Sequence, residues 1–234
     1  VVAASGKRWS PVVSADEAVT LVKSGDRVYL HEVAMTPVEL LEALARRALS
    51  APLYNVETIS LHLEGPAPHV APELAGHIRH NALFVGANVR DAVNDGRADY
   101  TPVFLSEVPA LFASGVVRLD VAFLQVSPPD RHGFCRLGTS IACARAAADC
   151  AQTVIGLVNP QVPLTMGNSA VHISRFAALV EIDRPLLTVP PPVIGEVERQ
   201  IGEHIAALIP DRATLQTGIG AIPDAVLLCL KDRE

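Results

Sequence analysis

The amino-acid sequence predicts an α/β fold with an open, mainly parallel sheet flanked by helices on both faces. The first observation is that short apolar, β-rich runs alternate with amphipathic segments, the pattern of successive strand–helix–strand units. The second is that several of these runs are apolar throughout, as expected for strands that helices cover on both faces. The third is size, because 234 residues of which 50% are hydrophobic can bury a large core.

Helix-start signals open the amphipathic segments. Residues Ser14 to Glu17 form a capping box, and Gly25 closes the helix that this box starts. A second helix has Thr36 as its N-cap, Pro37 at its first position and Glu39 three residues after the cap. Further helices are predicted over residues 89–94, 140–150 and 194–208.

Strands are predicted between these helices, in runs rich in β-branched and other apolar residues. They cover residues 27–30, 57–63, 82–85, 119–126, 153–158 and 214–217. Three consecutive prolines at 190–192 cannot continue a helix or an interior strand, so we place a domain boundary there. The interpretation is an α/β domain over residues 1–190, followed by a linker and the start of a second domain over residues 191–234.

Composition argues against several classes of partner. The formal net charge is −6 with no basic block, which argues against nucleic acid and anionic membranes. No apolar run approaches the ~20 residues of a transmembrane helix, and the N-terminus lacks the basic-then-apolar order of a signal peptide. The four cysteines form no CxxC pair, and Cys143 and Cys150 are interpreted as small buried thiols in a helix. We expect a cytoplasmic protein without a metal site.

A glycine-rich turn between a predicted strand and an apolar helix is the first candidate ligand site. It follows Gln216 and contains Gly218, Gly220 and Pro223. Glycines allow a ligand to approach the backbone, and the N–H groups of a helix N-terminus suit a phosphate, a carboxylate or an oxyanion. Pro223 replaces the third glycine of the dinucleotide-binding fingerprint. From the residues alone, a tight structural turn and a ligand-binding turn both remain open.

Two further loops follow predicted strands, the position at which α/β sheets bind ligands. Residues 127–134 contain Asp130, Arg131 and His132 in succession, and a surface turn with an Asp–Arg pair is the alternative interpretation. Residues 159–163 follow the next strand. The sequence has no GxSxG and no GxxxxGK[ST] motif, which excludes the serine-hydrolase and P-loop classes.

The histidines supply one more site candidate. His31 follows a strand and precedes a helix, so it could face a pocket, with Glu32 as an alternative structural partner. His77 and His80 are predicted to share one face of a helix. We interpret them as a solvated pair, because no carboxylate or cysteine lies at metal-ligand spacing.

These segments together resemble the acetyl-CoA hydrolase/transferase family, which includes 4-hydroxybutyrate, acetate and succinate CoA-transferases. The resemblance extends from about residue 12 to the end of the chain, with several independent motifs in the same order. The matching stretches are SGDRVY (24–29), FVGANVRDAVNDGRAD (84–99), FLSEVP (104–109), QVSPPDRHGFCRL (125–137), VNPQ (158–161) and QTGIGAIPDAVL (216–227).

The resemblance implies a subunit of two CoA-transferase-type α/β domains with the active site between them. It also implies transfer of CoA from an acyl-CoA to a small carboxylic acid through a glutamyl-CoA thioester. Acyl-CoA is then a substrate and no cofactor is bound permanently. The implied protein partner is a second copy in a homodimer or the C-terminal half of the subunit. An acyl-CoA thioester hydrolase and a non-catalytic α/β ligand-binding module are the alternatives.

The resemblance also assigns site residues. It implies that Gly218, Ile219, Gly220, Ala221 and Ile222 line the CoA site. Gln216, just before this turn, could reach the acyl or carboxylate group, and His31 is kept as a second substrate-binding candidate. The family's nucleophilic glutamate follows the glycine turn in a His-Thr-Glu-like segment that lies beyond Glu234. No catalytic residue is therefore expected within the chain.

We expect the 234-residue chain alone to form no covalent adduct with CoA, because the implied nucleophile lies beyond its last residue. The measurement is mass spectrometry of the chain after incubation with acetyl-CoA, beside a full-length family member as the positive control. A CoA adduct on any glutamate of the chain, Glu234 included, would show that the nucleophile has been assigned to the wrong segment.

Overall fold

The computed structural model describes residues 10–233, which form two compact units. The first unit ends at Leu187 and the second begins at Thr188, just before the three prolines. Residues 1–9, which bear on the expected lack of a signal peptide, and Glu234 lie outside the described residues. The assignment of two CoA-transferase-type domains to the chain stays a prediction.

Within residues 10–233 the first unit has a seven-stranded sheet in which all neighbouring strands are parallel. A two-stranded antiparallel ribbon lies outside this sheet. The strands are β1 (Arg27–Leu30), β2 (Val56–Ser60), β3 (Ile78–Ala82), β4 (Asp99–Tyr100), β5 (Val121–Val126), β6 (Phe134–Arg136), β7 (Thr153–Val158), β8 (Ala170–His172) and β9 (Ala178–Glu181). The sheet order is β4-β3-β2-β1-β5-β7-β9, and β6 pairs with β8.

Helices pack on the sheet and also form the second unit. They are α1 (Ala15–Ala18), α2 (Val38–Ser50), α3 (Ala87–Asn94), α4 (Val108–Ala113), α5 (Ala144–Cys150), α6 (Glu196–Ala206) and α7 (Ala221–Cys229), with α6 and α7 in the second unit. The predicted parallel sheet with flanking helices is confirmed, and so is the capping box of Ser14 and Glu17. In the described part of the chain, no helix has the length and apolar character needed to cross a bilayer.

Two apolar clusters, one on each face of the sheet, form the core of the first unit. Val28 and Leu30 belong to the cluster that α2 covers, whereas Tyr29 belongs to the cluster that α4 and α5 cover. Successive side chains of a strand point to opposite faces, so β1 contributes to both clusters. All six residues of β5 are buried. Burial on both faces explains why the sequence of β5 is almost entirely apolar.

The N-terminus of α2 differs from its prediction. The helix begins at Val38 with Pro37 in the cap position, and no side chain of residues 10–233 caps its N–H groups. The Thr36 hydroxyl instead donates to the carbonyl of Val33 at 2.7 Å and accepts the N–H of Glu64 at 3.1 Å. The assignment of Thr36 as N-cap is therefore wrong, because its hydroxyl joins the loops after β1 and β2.

The region of His77 and His80 is a strand rather than a helix. β3 begins at Ile78, and the side chain of His80 is buried. Its ring packs edge-on against that of His69, with centroids 4.8 Å apart, and its Nδ1 lies 3.0 Å from the Thr58 hydroxyl. The solvated helical pair is therefore wrong, because a strand buries every second residue and this alternation places His80 in the core.

Two predicted strands also differ from the observed ones. The strand expected over residues 82–85 is displaced toward the N-terminus, because β3 ends at Ala82 and the next residues lead into α3. Residues 214–217 form no strand. The described part of the second unit contains two helices and no strand, so these residues have no partner for a hydrogen-bonded ladder.

We expect acid to destabilise the first unit through His80. Burial lowers the pKa of His80 to about 4, below the value of about 6.5 for an exposed imidazole. Between these two pH values the unfolded chain binds more protons than the folded chain, so the free energy of unfolding falls as the pH is lowered.

A His80→Leu variant should reduce this pH dependence by roughly 1–3 kcal/mol across that interval. The measurement is equilibrium unfolding in urea at a series of pH values, monitored by circular dichroism. Part of the dependence should persist in the variant, because burial also lowers the pKa of His69. Identical pH dependence in the variant and the wild type would contradict a neutral, buried imidazole at position 80.

Candidate functional site

The carboxyl ends of the strands share one edge of the sheet, which we call the carboxyl edge. It comprises residues 31–37, 61–65, 127–134 and 159–163, which follow β1, β2, β5 and β7. Because these strands are parallel, their following loops lie side by side. The crevice beyond the carboxyl ends of parallel strands is where α/β folds bind ligands. The structure thus brings His31 and two of the predicted loops to one edge.

His31 is a predicted site residue at this edge, and it is completely buried. Its Nδ1 lies 3.1 Å from the carbonyl oxygen of Gln125, and its Nε2 lies 2.7 Å from that of Ser140. Burial lowers the pKa of His31, while the charge of Glu32 and the two carbonyls oppose this change. The imidazole therefore joins the end of β5 to the loop before α5. Contact of His31 with a substrate stays a prediction.

Glu32 is buried next to His31 and accepts hydrogen bonds with both carboxylate oxygens. Oε1 accepts the backbone N–H of Cys143 at 3.2 Å, and Oε2 accepts the hydroxyl of Tyr29. Its structural partners are thus Tyr29 and Cys143 rather than the His31 ring. Burial and the charge of Glu32 raise the pKa of Tyr29 well above its usual range and that of the Cys143 thiol to about 12.

The raised pKa makes Cys143 an inert, protonated thiol at neutral pH, because the thiolate is the reactive form. Its interpretation as a buried thiol agrees with the structure. Cys150 is only partly buried, so the same interpretation is wrong for it. Within residues 10–233, no three His, Cys, Asp or Glu side chains are grouped so as to hold a metal ion.

Asn159 anchors the loop that follows β7. Its side chain is buried, and its Nδ2 donates to the carbonyl of Arg184 at 2.9 Å and to Oε1 of Gln125 at 3.4 Å. Nε2 of Gln125 in turn lies 3.5 Å from the carbonyl oxygen of Ala34. These two amides connect the loop after β7 to the loop after β1. They hold the two loops in one relative position.

His62 and Glu64 form a polar pair at the carboxyl edge that the sequence analysis does not identify. Nε2 of His62 lies 2.7 Å from Oε1 of Glu64, and the side chains are 26% and 30% exposed. The strand predicted over residues 57–63 places His62 inside the sheet, so the sequence does not indicate this pair. The nearest glycine and proline lie at positions 65 and 66, after the predicted end, so no local signal marks the observed end of β2 at Ser60. Unlike His31, this pair is accessible to a ligand.

The loop over residues 127–134 has the contacts of a surface turn. Oδ1 of Asp130 accepts two backbone N–H groups of the same turn, at 2.8 and 3.0 Å. Its carboxylate lies 3.7 Å from Arg136, whereas Arg131 contacts the ring of His132. The Asp–Arg pair of the alternative interpretation therefore forms with Arg136 rather than with Arg131.

The glycine-rich turn lies in the second unit, at the N-terminus of α7. Gly220 is the N-cap of this nine-residue helix, and no side chain in the described part of the chain caps the first N–H groups. Its φ of 121° is disfavoured for residues with a side chain, which gives a structural reason for glycine there. Gly218 has no such requirement, and a Cβ at that position would lie 3.8 Å from Pro223. Ile219 is fully exposed.

A cavity of about 200 Å³ lies next to this turn, within the second unit. Three of the predicted ligand residues line it, namely Gln216, Gly218 and Ile222. Most of the remaining wall is apolar and includes Ile205 and Val226 from α6 and α7. Binding of CoA by these residues stays a prediction, as does the alternative of a purely structural turn.

Comparison with known proteins identifies a family and named relatives. The sequence profile of the acetyl-CoA hydrolase/transferase N-terminal domain matches residues 5–191. The chain is 44% identical over 223 residues to the 4-hydroxybutyrate coenzyme A transferase of Clostridium kluyveri, a match covering 95% of this chain and 52% of that protein. It is 45% identical over 221 residues to the succinyl-CoA:acetate/propanoyl-CoA:succinate CoA transferase of Fasciola hepatica. This match covers 94% of this chain and 45% of that protein. The chain spans about half the length of these curated relatives.

Solved structures with the same fold include two at 30% identity or more. The 4-hydroxybutyrate CoA-transferase from Porphyromonas gingivalis matches with a TM-score of 0.81 at 37% identity, covering 96% of this chain and 52% of that one. RipA from Yersinia pestis matches with a TM-score of 0.89 at 30% identity, covering 95% of this chain and 54% of that one. Both matches confirm the α/β fold.

We expect Glu32→Leu to lower the free energy of unfolding by roughly 2–5 kcal/mol, because the Tyr29 hydroxyl and the Cys143 N–H lose their buried acceptor. Glu42→Leu, at an exposed position of α2, is the matched control and should change the free energy of unfolding by less than about 0.5 kcal/mol. The measurement is equilibrium unfolding in urea. Equal losses in the two variants would contradict the buried hydrogen bonds of Glu32.

Proposed function

This chain belongs to the acetyl-CoA hydrolase/transferase family, and on that premise we propose that it is part of a CoA-transferase. The proposed enzyme moves CoA from an acyl-CoA to a small carboxylic acid. The observation that carries the proposal is 44–45% identity, over nearly the whole chain, to two proteins named CoA transferases. Similarity to a solved 4-hydroxybutyrate CoA-transferase supports the same class of reaction.

The proposed reaction keeps the thioester through a covalent glutamyl intermediate. A glutamate carboxylate attacks the thioester carbonyl, the C–S bond breaks, and CoA leaves as a thiolate. The thiolate then attacks the glutamyl carbonyl of the mixed anhydride, which releases the first carboxylate and leaves glutamyl-CoA. The acceptor carboxylate repeats these steps in reverse and leaves as the new acyl-CoA. We place this glutamate beyond Glu234, so the described residues bind and orient the substrates.

The turn from Gly218 to Ile222 is proposed to bind CoA or the oxyanion of a tetrahedral intermediate. Support comes from the N-terminus of α7, where no side chain of the described residues caps the first N–H groups and the helix dipole favours an anion. Gln216 lines the neighbouring cavity. Its side-chain amide is proposed to hydrogen-bond the acyl carbonyl or the substrate carboxylate.

The carboxyl edge of the first unit is proposed to contribute to the substrate site. Because both ring nitrogens of His31 already contact carbonyl oxygens, its proposed role is to hold the surrounding loops in place. His62 and Glu64 are partly exposed and supply polar atoms that a substrate can contact. A homodimer and a cytoplasmic location are further predictions that accompany this function.

The full-length protein that contains this segment provides the test between transferase and hydrolase. With acetyl-CoA and a series of small carboxylic acids, a transferase forms a new acyl-CoA and releases acetate only when an acceptor is present. A hydrolase releases free CoA thiol at the same rate without an acceptor. Chromatography of the acyl-CoA products and a thiol assay measure both activities. Thiol release without any new acyl-CoA would contradict the transferase proposal.

We expect Gly218→Val in that full-length protein to raise the KM for acyl-CoA about tenfold or more, because the new side chain reduces the space for a ligand at the turn. Gly218 is the better position for this test than Gly220, because its backbone accepts other residues without strain. The Tm should therefore change by less than about 4 °C.

Ala207→Val is the control, since it adds similar bulk at an exposed position of the same unit that does not line the cavity. Steady-state kinetics and thermal unfolding are measured on both variants. A large loss of thermal stability in Gly218→Val, with KM unchanged, would favour the purely structural turn.

A further inference from the structure

A second cavity lies at the amino ends of the strands, on the opposite edge of the sheet from the carboxyl edge. Its volume is about 400 Å³, within the range of small-molecule sites. The lining residues include Asn55, His77 and Arg97, which precede β2, β3 and β4. Because the strands are parallel, their length separates this cavity from the carboxyl edge of the same sheet.

The titratable side chains that line this cavity are all basic. They are His77, Arg79 and Arg97, and no aspartate or glutamate of residues 10–233 lines it. This is notable in a chain with a net charge of −6. Guanidinium and imidazole N–H groups gathered on a concave surface can donate to an anion, even where each guanidinium also pairs with a carboxylate outside the cavity. The cavity therefore favours an anionic ligand.

Two carboxylates outside the cavity hold the arginines in position. Asp99 accepts from Arg79 with both of its oxygens, and Asp95 accepts from Arg97 at 3.0 Å. Each arginine also donates to a backbone carbonyl of a neighbouring loop. Within the described residues, these bonds use three of the five N–H groups of Arg79 and two of the five of Arg97. The remaining N–H groups lie on guanidinium planes that are already oriented.

His77 is oriented in a similar way. Its Nδ1 donates to the carbonyl of Leu53 at 2.7 Å, and its ring stacks on Tyr54 with centroids 4.9 Å apart. The Leu53 contact directs one ring nitrogen to the protein, and within residues 10–233 no hydrogen-bond partner contacts Nε2, which is then available to a ligand. Much of the remaining wall is apolar, and its residues are Val70, Ala71, Pro72, Ala75 and Ile78. An apolar wall suits an organic group better than a bare ion.

We propose that this cavity binds a small phosphate monoester, with the phosphate against His77, Arg79 and Arg97 and the organic group against the apolar wall. Phosphate is favoured over carboxylate because it carries more negative charge and three acceptor oxygens for the three basic groups. The cavity lies at the amino edge, so the phosphate monoester binds there as a separate ligand and not as the substrate of the carboxyl edge. The inference is independent of the CoA-transferase proposal.

Ala75 provides a test that removes no existing hydrogen bond. Its side chain is exposed and lines the cavity. Ala75→Glu places a negative charge in the cavity, whereas Ala75→Gln places a neutral side chain of the same size there. In calorimetric titrations of the purified full chain with glycerol 3-phosphate, we expect Ala75→Glu to bind at least about tenfold more weakly than Ala75→Gln. Equal affinities, or no binding to the wild type at about 10 mM, would overturn the proposal.

Arg97→Gln tests the binding group itself, with Arg145→Gln as the control. Arg145 pairs with Asp149 on α5 and does not line the cavity. We expect Arg97→Gln to weaken binding about tenfold and Arg145→Gln to leave it unchanged. If Arg97→Gln fails to fold, the two Ala75 variants decide the question. Equal weakening in both arginine variants would overturn the assignment of Arg97.

The choice of ligand separates the phosphate group from the organic group. Glycerol alone should not bind, and inorganic phosphate should bind more weakly than glycerol 3-phosphate because it leaves the apolar wall uncovered. Equally tight binding of inorganic phosphate would overturn the organic part of the assignment. Displacement of the probe by CoA, but not by CoA lacking its 3′-phosphate, would show that the site binds the coenzyme instead and would overturn the assignment to a separate phosphate monoester.

Discussion

Burial of β5 on both faces is the constraint on which the first unit depends. All six of its residues are excluded from water, and it pairs in parallel with β1 on one side and β7 on the other. A strand buried in this way satisfies its backbone N–H and C=O groups only through its neighbours. A shift of register would therefore leave polar groups unpaired and misplace apolar side chains. Each large side chain buried contributes roughly 1.5–3 kcal/mol, so the two covering layers stabilise this arrangement strongly.

The parallel arrangement has its functional consequence at the carboxyl edge. It gathers polar side chains from distant parts of the sequence into buried contacts, in which Glu32 accepts from Tyr29 and Cys143, and Asn159 donates to Gln125. A buried polar group is tolerated when it is hydrogen-bonded, and removal of one partner leaves the other unsatisfied. These contacts hold the loops after several strands in one arrangement, which is what a site built from strand ends requires.

The two edges of the sheet differ in their chemistry. The carboxyl edge combines buried hydrogen-bonded groups with the accessible pair of His62 and Glu64. The cavity at the amino edge presents His77, Arg79 and Arg97, and no carboxylate of residues 10–233 lines it. Strand length separates the two edges, so the substrate site proposed at the carboxyl edge and the anion site proposed at the amino edge are separate sites. The two proposals depend on different residues, and either can fail without the other.

Local signals in the sequence by itself determined the α/β class, the capping box at Ser14 and the strand over residues 153–158, because each depends on residues only a few positions apart. The order of motifs likewise placed the chain in its family. Only the tertiary structure decided that the Thr36 hydroxyl accepts the N–H of Glu64 instead of capping α2, and that His80 is buried against His69. It also brought Glu32 to the N–H of Cys143, 111 residues further along the chain. Burial and hydrogen-bond partners are set by contacts between distant segments, and local sequence patterns carry no direct record of those contacts.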